Sequence, residues 1–173
     1  KPERLAKSRD ILRDLGGEEI KLKMPDGHHI TGIYLDSTKC LDALLLHGAK
    51  RGSISLPDGK TQEVLWVNPS IAKLTHLVKE MQLATFEENG KCYITIGIPS
   101  NSAGQALQSP QGTVIYAPGS GHLFEFRRKT IGSFLIGYGM NVLLFHYSGT
   151  GQSQGKISEQ ATYDNLEGAY QYL

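Results

Sequence analysis

The chain has 173 residues, enough for one domain with a real core, and its 39% hydrophobic and 20% charged residues are ordinary for a globular protein. A net charge of +1 sets up no strong field for nucleic acid, and two cysteines, Cys40 and Cys92, are too few for a disulfide framework or a structural zinc site. No apolar run approaches the roughly 18 residues of a membrane span, and no signal peptide is visible.

Residues 2–15 read as a helix closed by Gly16-Gly17, with Leu5, Ile11, Leu12 and Leu15 as its stripe. Lys1, Arg4, Lys7, Arg9 and Arg13 make it basic, a pattern that suits a membrane surface. Glu3, Asp10 and Asp14 dilute that charge and favour a helix packed on the domain with its charges solvated. Residues 19–24 and 29–35 form an expected hairpin around Pro25-Asp26-Gly27. His28 and His29 at its exit point to opposite faces, so they read as turn-edge residues and not as a metal pair.

Leu44 to Gly48, LLLHG, resembles the strand-then-His-Gly entry to an esterase oxyanion loop. Helical spacing of Cys40, Leu41, Leu44 and Leu45 after the candidate caps Ser37 and Thr38 favours a helix instead. A second hairpin is expected over 54–67 around Pro57-Asp58-Gly59, a helix over 71–81 and a strand over 91–98. Residues 37–98 therefore form an insertion or subdomain. Residues 99–112, polar and proline-bearing, read as a linker loop.

The central stretch is 113–155. TVIYA and NVLLFHY are two strands whose centres, VIYA and VLLF, run continuously apolar, each ending in a glycine turn, APGSG and YSGTG. Between them Ile131, Phe134, Leu135 and Tyr138 make one helical face, and Gly137 and Gly139 a stop. This is a βαβ unit with parallel strands buried on both faces. A last helix, 159–173, shows Tyr163, Leu166, Tyr170 and Leu173 on one face.

Gly151-Gln152-Ser153-Gln154-Gly155 matches G-x-S-x-G, but no helix follows directly and no histidine comes later. Ser153 is therefore read as ordering its loop by local hydrogen bonds. Phosphate-loop and dinucleotide fingerprints fail on glycine spacing. Pro118-Gly119-Ser120-Gly121-His122, at a strand end before a helix, suits a phosphate or an oxyanion, or is simply a tight turn.

Together the motifs PDG, PGSG and NVLLFHYSGTGQSQG resemble the early half of the α/β-hydrolase superfamily of serine hydrolases. The long N-terminal extension is also similar to that of hydrolase-like proteins of Chlamydia and Legionella. The resemblance implies an α/β fold: a three-layer, mostly parallel sheet with an antiparallel N-terminal hairpin. It implies that the family's fourth strand lies between the second and third, and that the third pairs beyond with the strand bearing the nucleophile. It places the backbone N–H of Ser120 in an oxyanion hole, with Gly119, Gly121 and His122 lining the binding loop. The nucleophile, acid and histidine then fall outside this chain.

The chain starts at Lys1 without Met and stops at Leu173 inside an apparent helix, so it reads as part of a longer protein: 1–36, 37–98, 99–112 and a core from 113 to 173 ending before the nucleophile strand. The implied partners are a small-molecule or lipid acyl substrate and the remaining C-terminal polypeptide. Nucleic acid, a transmembrane segment, metal and cofactor are not expected. The compartment, bacterial cytoplasm or export to a host cell, is left open. The rival readings are a non-catalytic interaction protein on a hydrolase scaffold, with 37–98 as its binding surface, and a phosphate-binding α/β domain.

Overall fold

The computed structural model describes residues 2–97, 112–119 and 123–173. Helix α1 (Pro2–Asp14) leads to β1 (Glu18–Lys23) and β2 (His29–Leu35), then α2 (Ser37–Leu46). The β1–β2 turn closes with Gly27 at φ 91°, its N–H donating to the Met24 carbonyl at 2.8 Å. Residues 44–46 are helical, as the spacing of the leucines implies. The cap is Asp36, whose carboxylate accepts from the Lys39 N–H at 3.0 Å. Ser37, expected to cap, instead donates its hydroxyl to the Gly139 carbonyl at 3.2 Å.

Strands β3 (Lys50–Ser55) and β4 (Thr61–Val67), helix α3 (Ala72–Glu80), and β5 (Thr85–Glu88) and β6 (Lys91–Thr95) come next in the chain. These four strands make their own antiparallel sheet in the order β3-β4-β6-β5. The β5 strand is an addition to the expected elements. Its turn is Asn89-Gly90 at φ 50° and 71°, the pair of left-handed residues that a two-residue hairpin needs.

The first sheet has the order β1-β2-β8-β7, where β7 is Thr113–Tyr116 and β8 is Asn141–Phe145. Strands β7 and β8 are parallel, in register from Thr113 opposite Asn141 to Tyr116 opposite Leu144. All five residues of β8 are buried, whereas β7 is an edge strand with half-buried residues. On one face Leu143 and Phe145 pack with Ile20, Leu22, Ile30 and Ala169. On the other, Val142 and Leu144 join Leu12, Ile33, Leu35, Ile131 and Leu135. That two-sided burial is why β8 reads as a continuous apolar run.

The α/β class holds, but a mostly parallel three-layer sheet is not what these residues build. Among them, five strand pairings are antiparallel and one is parallel. The reason lies in the connections: tight turns join β1 to β2, β3 to β4 and β5 to β6, and a hairpin can only be antiparallel.

The crossover differs in one respect. Helix α4 (Arg128–Gly132) continues as a π turn over Ser133–Gly137. The wider turn carries one extra residue and rotates the positions beyond it around the helix axis. Ile131, Leu135 and Ile136 are therefore buried, while Tyr138 is 62% exposed and not part of the inward face.

In α5 (Glu159–Tyr172) the inward face is Asn165, Leu166 and Ala169. Tyr163, Tyr170 and Leu173, expected inside, are exposed. Gly168 lies close to the tip of the Met24 side chain, 2.7 Å from where a Cβ would stand.

Both cysteines are free, Cys40 buried and Cys92 half-buried. Burial, followed by the Asp36 charge, pushes the Cys40 thiol up to about 12. Titration of the folded protein with an aromatic disulfide at pH 8 should therefore modify Cys92 alone. Cys40 should react only after denaturation, and rapid modification of Cys40 would contradict this packing.

Candidate functional site

Two polar clusters meet where β8 ends. The strand's apolar run continues into His146, which is 1% exposed and stacks on Phe124 with ring centroids 4.4 Å apart. Phe124 opens a 3₁₀ turn, Phe124–Phe126, that places Glu125 at 0% exposure. The Glu125 carboxylate accepts from His146 Nε2 at 2.9 Å and from Arg9 Nε at 2.9 Å. With an ionised carboxylate opposite, the hydrogen-bond network assigns His146 the Nε2–H tautomer.

Arg9 reaches inward from α1. Its Nη1 also donates to Glu19 at 3.0 Å and Gln152 at 2.6 Å, and its guanidinium lies 5.8 Å from the Phe124 ring centre. One arginine thus ties α1, β1, the 3₁₀ turn and the loop after β8. The amino-acid pattern places Arg9 among the solvated charges of a basic helix; it is 5% exposed instead. Its spacing from Leu5 and Leu12 puts it on the apolar stripe, which is the signal that marks it in the sequence.

Burial by itself would raise the Glu125 pKa, and that is the largest single effect. The hydrogen bonds and charges of His146 and Arg9 outweigh it and hold the carboxyl below its ordinary value of 4.5. A depressed carboxyl contributes stability that is complete above the unfolded value and is withdrawn as pH falls through the folded one. Urea midpoints of the natural protein and of Glu125→Gln should therefore lie far apart at pH 7 and converge as pH falls below the ordinary 4.5 and through the depressed folded value. A gap that stays constant would mean that the carboxylate is not paired.

The second cluster joins the first hairpin to the same loop. Ser148 Oγ lies 2.7 Å from His28 Nε2, and His28 Nδ1 is bonded to the Asp26 carboxylate. The Asn165 amide of α5 donates to Ser148 Oγ at 2.9 Å and accepts from the Ser148 N–H at 2.8 Å. The order Ser–His–Asp is that of a relay triad, but the exposure is reversed. Ser148 is 1% exposed, while the Asp26 side chain is 70% exposed. A catalytic triad buries the carboxylate and presents the hydroxyl to substrate. This cluster is a clasp, and His28 does more than sit at a turn edge.

Ser153 holds the loop, through one local bond and one that reaches across to β2. It donates to the His146 carbonyl at 2.7 Å and accepts from the Thr31 N–H at 2.9 Å. Gln154 adds two further bonds to His29, so the loop continues the β2 ladder past the end of β8.

Of the residues expected in the binding loop, Gly119 is exposed at the end of β7, beside buried Pro118. Ser120, Gly121 and His122 lie outside the described residues. The turn just after them is the one fixed by Glu125. Among the described residues, no group of His, Cys, Asp and Glu is placed to hold a metal, and no helix is long and apolar enough to cross a membrane.

Comparison with protein-family models, curated proteins and solved structures finds no match.

Proposed function

We propose that this chain is the N-terminal part of a serine hydrolase acting on an ester, thioester or lipid acyl group. The observation that carries the reading is the strand order. β8 lies between antiparallel β2 and parallel β7, and β7 has a free edge among the described residues. This is the arrangement that the α/β-hydrolase resemblance implies for the family's second, fourth and third strands, with the nucleophile strand adding beside β7. The further parallel strands, the serine, the acid and the histidine would come from polypeptide after Leu173.

In this reading the Ser120 N–H donates to the oxyanion of the tetrahedral intermediate, and Gly119 and Gly121 let the backbone approach it. Arg9, Glu125 and His146 fix the turn immediately after that loop. Fluorophosphonate labelling of protein that includes the downstream polypeptide tests this. One serine should be labelled. Ser120→Pro, which removes the amide donor, should slow labelling about a hundred-fold or more, and Ser120→Ala, which keeps it, should not. A folded protein with no labelled serine would favour the second reading, a non-catalytic interaction protein on a hydrolase scaffold. The observation behind that alternative is the outer face of the second sheet.

A further inference from the structure

The second sheet turns one face to the core, through Leu65, Val67 and Ile94. Its other face carries a row across all four strands. Lys50 stands opposite Trp66, Trp66 opposite Tyr93, and Tyr93 opposite Phe86. Directly opposed residues share a face, so these four side chains form one transverse band. Lys50 and Lys91 hold their ammonium groups 5.3 and 5.7 Å from the Trp66 ring centre.

Beside this band lies a cavity of about 230 Å³, floored by buried Val64 and walled by Trp66 and Tyr93. It exists because Gly52, opposite Val64, contributes no side chain. A Cβ built there would meet nothing within 4 Å. Lys50 and Lys91 stand at the rim on this face, and no carboxylate lines the cavity. Among the described residues neither lysine forms a salt bridge, although Glu88 stands opposite Lys91; Arg51, opposite Leu65, is on the other face and pairs with Glu63 at 3.4 Å. In a chain of net charge +1 this is a local concentration of positive charge around an apolar hole.

The cavity opens along β3. That strand is the edge of its sheet and, among the described residues, pairs only with β4. An edge strand offers a row of unpaired N–H and C=O groups, which an extended peptide can join.

We propose that this edge binds an extended acidic peptide of a partner protein, which adds to the sheet alongside β3. One aromatic or aliphatic side chain enters the hole at Gly52, and flanking carboxylates meet Lys50 and Lys91. Stacking of a nucleic acid base is the weaker fit, because both lysines already lie against the indole and Phe86 is stacked on Tyr93 at 5.6 Å. The inference stands apart from the hydrolase reading, since no residue of the 118–122 loop takes part.

Trp66 is the one tryptophan in the chain, so its emission reports the site directly. The test titrates the protein with an acetylated octapeptide of alternating glutamate and valine with one central phenylalanine. Two controls accompany it: the same peptide N-methylated on its pairing edge, and oligothymidylate of matching charge. A saturable shift in Trp66 emission with the first probe alone is expected. Lys50→Glu with Lys91→Glu should weaken it about ten-fold or more. Gly52→Val, which suits a strand and fills the hole, should abolish it while leaving the urea midpoint unchanged or higher. Equal binding of the methylated peptide or of oligothymidylate, or no saturable shift with any probe, would overturn the proposal.

Discussion

Arg9→Ala should destabilise the protein by about 3–5 kcal/mol, because it leaves the Glu125 carboxylate buried with only His146 for compensation. The exposed salt bridges are no guide to this figure: pairs such as Arg51 with Glu63 contribute about 0–1 kcal/mol each. The difference is that Arg9 and Glu125 have been removed from water, at 5% and 0% exposure. Arg9→Lys should recover little. An ammonium cannot span Glu125, Glu19 and Gln152 from one planar fork. Pairing Arg9→Met with Glu125→Gln should recover much of the loss, since no charge is then stranded and the glutamine can still accept from His146 Nε2. Urea denaturation of these variants at pH 7 checks the set. A single variant Arg9→Ala as stable as the natural protein would mean that α1 does not dock as described.

Gly32→Ala should be nearly as damaging, about 3 kcal/mol, although it adds only one methyl group. Gly32 lies mid-strand in β2, and a Cβ there would sit 2.2 Å from the Leu144 carbonyl oxygen of β8. The obstacle is backbone in the central pairing of the sheet, so no side chain can rotate away. Relief requires β2 and β8 to separate, which would also pull the His146 N–H from the Thr31 carbonyl. Gly52→Ala is the internal control: it is also mid-strand, has open space on its outer side and should be close to neutral. Thermal or urea midpoints that are equal for the two variants would refute the claimed β2–β8 contact.

The elements legible in the sequence are those with strong local chemistry. Pro25-Asp26-Gly27 and Pro57-Asp58-Gly59 mark their hairpins because a tight turn needs those residue types. The parallel β7–β8 pair is legible from two apolar runs joined by a helix, although only β8 is buried on both faces and β7 is a half-buried edge. The faces of α4 and α5 are not. A π turn breaks the 3.6-residue period that assigns Tyr138 inward, and in α5 the inward positions are Asn165, Leu166 and Ala169, not the tyrosines. The polar clusters are the least legible. Glu125 has Arg127 and Arg128 beside it in the chain, yet it pairs with Arg9, 116 positions away, and Ser148 lies 120 from His28. No window of sequence holds such pairs together, and only the strand order brings them to one end of the sheet.

That order also governs how the chain is made. β2 has β1 beside it at once, yet its other edge is filled by β8, whose residues 142–145 emerge about a hundred positions later. A ribosome adding about 5–20 residues per second leaves that edge open for several seconds, while the second sheet between them can already close on itself. Nascent-chain aggregation should therefore depend on how soon residue 145 clears the exit tunnel.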